Sequence, residues 1–172
     1  PDRKEQRITD LSVTPHATIS ERAEDVLLGA DLIVIGPGDL YTSVLANVVV
    51  EGVPEAIRNS GAQLAYVSNL MTKCGQTTGM GVQEHLDEIT RYVGRTPDVV
   101  FVNTTAFPAD LLERYQADDE CPVEMNYTGE SKVVAADLLA TEAVQTTTGD
   151  VLKRSLIRHD SRKLARKIME II

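Results

Sequence analysis

The sequence predicts an α/β fold: a Rossmann-like, doubly wound three-layer sheet, mostly parallel. Three observations carry this. Short apolar runs, 32–35, 62–68 and 98–102, recur at intervals of about thirty residues, too short to be buried helices and suited to parallel strands. Amphipathic helical patterns separate them. Each run stops at a polar loop rich in Gly, Thr or Asn, where open α/β sheets place their ligands.

Along the chain, residues 8–14 (ITDLSVT) alternate apolar and polar and read as a strand. Thr18 or Ser20 can cap a helix through 21–30 that stops near Gly29. The strand 31–36 (DLIVIG) is apolar on both faces, which predicts helices on both sides. A helix is expected after the Gly36-Pro37-Gly38 turn, and a second over 53–61 with Pro54 in its first turn. Residues 62–69 form the next strand and 70–81 a long polar loop. The pattern over 82–94 predicts an amphipathic helix with Val82, Leu86, Ile89 and Val93 on one face. A strand at 98–103 and a short helix at 109–116 follow. PVEMN (122–126) and KVVAADLL (132–139) read as short strands or extended segments. The chain ends in a basic amphipathic helix, 160–172, with Leu164, Ile168, Ile171 and Ile172 directed inward.

Composition bounds the function. The 172 residues suffice for one domain, or part of one, spanning 1–172. Hydrophobic residues at 42% and charged residues at 25% describe a globular chain. No run approaches the about 18 apolar residues of a membrane span, and the polar start carries no secretory signal. A net charge of -9 argues against nucleic acid as a partner. Cys74 and Cys121 have neither metal nor disulfide spacing and read as reduced thiols, placing the protein in the cytoplasm. No metal-ligating pattern stands out, and the acidic residues Asp110, Glu113, Asp118, Asp119 and Glu120 read as a solvated face.

Three loops carry candidate chemistry. In GPGDLYTS, Gly36 and Gly38 permit close backbone approach to an anion, the following helix start offers free N–H groups, and Thr42 and Ser43 add hydroxyls. The loop is neither a Walker A sequence nor GxGxxG. The alternative is a plain turn whose Asp39 caps a helix. Tyr41 suits stacking on a base or sugar, or burial with a bonded hydroxyl. In the 69–81 loop, Asn69, Thr72, Lys73, Gln76, Thr77 and Thr78 suit sugar hydroxyls or a phosphate, or form only a surface loop. In LIRHDS, Arg158 suits a bidentate phosphate contact or a salt bridge. Asp160 or Ser161 can cap the last helix. His159 and Asp160, being adjacent, are expected to point apart.

Together these stretches resemble the CofD/YvcK-like family, and within it the gluconeogenesis factors. ADLIVIGPGDLYTSVLANVVVEGVPEAI, AQLAYVSNLMTKCGQTTGMGVQEHLDEI, DVVFVN and IRHDSRKLARKI match its signatures in order. The chain departs from the family at Ala46, where Pro is usual. It departs again at Lys73-Cys74-Gly75-Gln76-Thr77, where the family has Gln-x-Gly-Glu-Thr; losing a carboxylate at Gln76 weakens a metal or base role for this loop. The family's Gly-rich N-terminal half has no counterpart here, and the chain starts at Pro1, so it is expected to be the C-terminal part of a longer protein. The resemblance implies a sugar-nucleotide ligand such as UDP-N-acetylglucosamine. It also implies a regulatory role linking carbon metabolism to cell-wall precursor supply and cell shape in bacteria. The CofD branch instead transfers a phospholactyl group from a nucleotide-activated donor to a deazaflavin, using a divalent metal such as magnesium. The resemblance further implies that Tyr115 and Arg158 bind ligand. The expected site is Gly36, Gly38, Asp39, Tyr41, Thr42, Ser43, Asn69, Thr72, Thr77, Tyr115 and Arg158. No certain cofactor and no assigned catalytic residue accompany it. A protein partner is expected to respond to the ligand, and a self-associating scaffold is the remaining alternative.

Overall fold

A computed structural model describes residues 7–141 and 155–172. Its sheet has four strands, β1 (Leu32–Ile35), β2 (Gln63–Val67), β3 (Val99–Asn103) and β4 (Lys132–Ala136), all parallel and in sequential order. Parallel neighbours need crossover connections. These are supplied by a π-helical turn (Leu40–Leu45), α2 (Ala46–Val48) and α3 (Val53–Asn59), then by α4 (Val82–Val93), then by α5 (Ala109–Ala117). Before the sheet lies α1 (Glu21–Leu28), capped by the Ser20 hydroxyl, which accepts the Ala23 N–H. The chain closes with α6 (Ser161–Met169).

The predicted three layers are present. Strand side chains alternate between two faces. Ile33, Ile35, Leu64, Tyr66, Val100 and Val102 meet Leu45, Val48, Ile57, Leu86, Ile89 and Val93 on one side. Ala65, Val67, Val99 and Phe101 meet Leu138 and Leu164 of α6 on the other. The last helix is seated by Lys163, whose ammonium donates to Asp137 and to the Leu139 carbonyl, both at 2.8 Å. A third small cluster, Leu70, Leu139 and Ile157 with Phe107, Leu111 and Tyr115 against it, lies beyond the strands' C-terminal ends. It joins α5 and the 155–160 segment to the rim of the sheet.

Three expectations differ from what is found, and one is narrowed. Residues 8–14 pair with no strand among the described residues. Ile8 and Leu11 instead lie on the main core, and Arg91 of α4 donates to the Thr9 carbonyl at 2.9 Å. The edge strand β1 is covered less than its apolar sequence suggested, with Val34 37% exposed. Of the two readings of PVEMN, the extended segment holds: it makes a single bridge, Met71 to Pro122, and Pro122 has no N–H to extend a ladder. Ile172 is 71% exposed rather than packed inward, since it lies beyond the end of α6. No helix among the described residues is long and apolar enough to cross a membrane.

Candidate functional site

The first loop begins at Gly36, where β1 ends. Gly36 has φ +85°, and a Cβ there would lie 3.1 Å from the Val67 carbonyl oxygen of the next strand. Only glycine fits this left-handed, crowded position. The chain then winds into the π-helical turn, in which the Ser43 and Val44 N–H groups both donate to the Asp39 carbonyl at 3.0 Å. The Asp39 side chain makes no cap hydrogen bond. Its carboxylate is therefore not consumed as a helix cap.

The second loop is tied to the first by Asn69. Its amide donates to the Gly38 carbonyl at 2.9 Å, and its amide oxygen accepts from the fully buried Tyr66 hydroxyl at 3.0 Å. Asn69→Ala leaves Tyr66 and Gly38 without these partners. The expected loss is about 1–3 kcal/mol in urea denaturation; a change under about 0.5 kcal/mol, the size of an ordinary surface substitution, contradicts the assignment.

The 70–72 stretch runs beside 121–123. The Thr72 N–H donates to the Cys121 carbonyl at 2.7 Å, the Cys121 N–H to the Thr72 hydroxyl at 2.9 Å, and the Val123 N–H to the Leu70 carbonyl at 3.0 Å. The same registration brings Lys73 onto Glu120, Nζ to Oε1 at 2.8 Å. This hydrogen bond holds the Lys73 ammonium above the usual lysine range.

The third loop, 155–160, reaches over the strand ends. Two of its N–H groups, of Leu156 and Ile157, donate to the Tyr115 hydroxyl at 2.9 and 3.1 Å. Arg158 Nε donates to the Ser155 carbonyl at 2.7 Å. Among the described residues Arg158 has no carboxylate partner. Asp160 caps α6 by accepting the Arg162 and Lys163 N–H groups, while His159 turns into the crevice wall, so the two point apart as expected.

Where these loops meet there is an open crevice of about 540 Å³. That lies within the usual size of small-molecule sites, about 300–1,000 Å³. Seven of the expected site residues line it: Gly38, Asp39, Ser43, Asn69, Thr72, Tyr115 and Arg158. Four do not. Gly36 shapes the turn behind it. Thr42 is exposed outside its lining. Thr77 is buried, its hydroxyl accepting the Lys73 N–H at 2.8 Å, so it folds the loop. Tyr41 is 3% exposed and donates to Glu88 of α4 at 3.1 Å, on the far side of the turn. Burial, reinforced by Glu88, pushes its phenol up to about 12.

Lys73, named with the polar groups of the 69–81 loop, also lines the crevice, and two titratable lining residues, Glu120 and His159, are additions to the expected site. Glu120 corrects the solvated-face reading of the acidic run, being only 9% exposed. The signal was non-local, since it depends on 118–123 lying against 70–73. Burial pushes the His159 ring down to about 4, against the opposing effect of the Ser68 backbone. An unfolded histidine titrates near ~6.5. The native state therefore holds fewer protons than the unfolded state between these values, and stability falls as pH drops through that window. Wild type is expected to lose about 2 kcal/mol from this group between pH 7 and pH 5. His159→Gln, followed by denaturant melts at both pH values, removes that part of the slope; an unchanged slope contradicts it.

Among the described residues no group of three or more His, Cys, Asp or Glu side chains is placed to hold a metal.

Comparison with known proteins adds to this geometry. A family model described as "2-phospho-L-lactate transferase CofD" matches residues 1–148. A Thermotoga maritima protein described as "Putative gluconeogenesis factor" is 42% identical over 142 residues, 83% of this chain and 44% of its own length. A Bacillus subtilis protein described as "Gluconeogenesis factor" is 30% identical over 170 residues, 97% of this chain and 51% of its own length. A crystal structure of a Bacillus halodurans protein superposes with a TM-score of 0.81 at 27% identity, covering 95% of this chain and 51% of that one. The chain thus spans about half the length of the relatives it matches.

Proposed function

The chain belongs to the CofD family, and from that premise we propose that its crevice holds a nucleotide-sugar of the UDP-N-acetylglucosamine kind. The reading is supported above all by one observation: three separate loops converge on a single crevice whose two cations, Lys73 and Arg158, stand beside the carboxylates of Glu120 and Asp39, with Lys73 paired to Glu120. Arg158 is anchored at Nε, and its two Nη groups have no partner among the described residues, which suits a bidentate contact with a phosphate. Gly38 keeps the turn tight, a Cβ there lying 3.2 Å from that of Ser43, and the Ser43 hydroxyl adds a donor at the crevice. Asn69 holds the first two loops in register. Leu70, Met71 and Ile157 give the crevice an apolar floor for a sugar or base face.

In this reading the protein is a cytoplasmic regulator. Ligand binding orders the 70–81 and 155–160 segments together and so alters the surface a partner enzyme meets, coupling carbon supply to cell-wall precursor synthesis and cell shape. A ligand that binds only the native state raises its melting temperature. The intact protein is expected to melt higher in UDP-N-acetylglucosamine and less so in UDP. Equal melting with and without the nucleotide-sugar would overturn the reading.

The family model's description favours a second reading, transfer of a phospholactyl group from a nucleotide-activated donor. Among the described residues no group of three or more His, Cys, Asp or Glu side chains gathers at one point, and no metal step is assigned. Product formation by the intact protein from such a donor, with magnesium and a deazaflavin acceptor, distinguishes the two: turnover supports transfer, and binding without turnover supports the regulator.

A further inference from the structure

The Lys73–Glu120 pair stands between two cavities. Lys73, Tyr115, Glu120 and Ser155 belong both to the wall of the main crevice and to that of a smaller chamber of about 180 Å³. The pair is thus flanked by open space on both sides. Its two halves are unequal: the Glu120 side chain is 10% exposed and that of Lys73 is 45% exposed. A buried carboxylate stays put, whereas an ammonium on a flexible four-carbon stem can swing.

The pair is one of several ties between the two segments. The 70–72 and 121–123 stretches are already joined by the three backbone N–H donations at Thr72, Cys121 and Val123. The pair therefore adds to a closure that the backbone already makes, at the wall of a crevice that also holds Asp39 and Arg158. Two further carboxylates, Asp39 and Asp118, act on Lys73 at longer range. A lone ammonium here would draw any small anion; a paired one responds only to a ligand that outcompetes its partner.

We propose that Glu120 is a resident counter-ion for Lys73, which a ligand's diphosphate displaces. Empty, the site keeps Lys73 neutralised. Filled, Lys73 turns from Glu120 toward the phosphates, and Arg158 grips them from the opposite loop. Glu120 thereby sets a threshold: it weakens binding of all phosphate anions through one shared lysine, so that a ligand must add sugar or base contacts to bind well. The proposal rests on the crevice being a diphosphate site and assigns the residues that tune it.

The test is calorimetry on the intact protein with two probes, inorganic pyrophosphate and UDP-N-acetylglucosamine. Glu120→Gln is expected to tighten both by about tenfold, because Lys73 no longer has a charged competitor. Lys73→Met leaves Glu120 buried without its partner and is expected to lower stability. The double variant Lys73→Met/Glu120→Gln carries no unpaired charge, and its comparison with Lys73→Met, under conditions where that variant stays folded, closes the cycle. In the double variant the gain from Glu120→Gln is expected to vanish, with both probes at least about tenfold weaker than in Glu120→Gln alone. A gain that persists without Lys73 shows general repulsion and overturns the proposal, as does Glu120→Gln with unchanged affinity or an absence of pyrophosphate binding in every variant. If pyrophosphate follows the expected pattern while UDP-N-acetylglucosamine gives no heat, the counter-ion role stands and the nucleotide-sugar reading falls. If wild type binds UDP-N-acetylglucosamine and the pattern is missing, the reverse holds.

Discussion

Arg158→Ala is expected to weaken UDP-N-acetylglucosamine binding to the intact protein by about ten- to a hundredfold. This follows from the loss of a charge-assisted hydrogen bond worth about 1.5–3 kcal/mol. The guanidinium is already oriented by its Nε bond to the Ser155 carbonyl, so little ordering remains to be done on binding. Arg158→Lys restores the charge but not the planar fork, and is expected to recover only part of the affinity. Titration calorimetry measures all three. An Arg158→Ala affinity equal to wild type contradicts a phosphate contact at this residue.

Tyr115→Phe is expected to act on the same affinity by a different route. The Tyr115 hydroxyl accepts the N–H groups of Leu156 and Ile157, immediately before Arg158. Removing that oxygen strands two backbone donors, at about 1–3 kcal/mol for each group left unsatisfied, and frees the loop that aims the arginine. Tyr115 is thus a positioning residue for Arg158, and its ring still forms part of the crevice wall. The distinguishing readout is a double-mutant cycle. In the Arg158→Ala background, Tyr115→Phe is expected to lower stability as before yet leave the ligand affinity unchanged. A further loss of affinity there shows that the hydroxyl touches the ligand directly.

The fold was largely legible because β2 and β3 are short, apolar on both faces and bounded by loops, which fits a covered parallel strand and little else. Helix α4 was legible from its periodicity: Val82, Leu86, Ile89 and Val93 are all buried. Residues 8–14 misled because alternation marks an extended amphipathic segment without saying whether a partner strand lies beside it. The convergence of the three loops was legible, since the strand-end rule put them on one rim and their residues line one crevice. The site was less legible at the level of side chains. Tyr41 and Ser43 are two residues apart, yet one faces α4 and the other the crevice, because a π-helical turn sets their directions and its winding leaves no local mark. Glu120 lay hidden in an acidic run because its burial depends on a loop some fifty residues earlier. Asp39 and Thr72 illustrate a further limit. Sequence can propose a polar group for a ligand, but only the fold shows whether the protein has already engaged it, as the Cys121 N–H engages Thr72.

Equilibrium binding to the intact protein decides whether this crevice is, as proposed, a nucleotide-sugar site. Calorimetry with UDP-N-acetylglucosamine is predicted to give saturable binding that pyrophosphate competes away. Absence of saturable heat for the wild type, across the concentrations a small-molecule regulator would meet, would contradict the account.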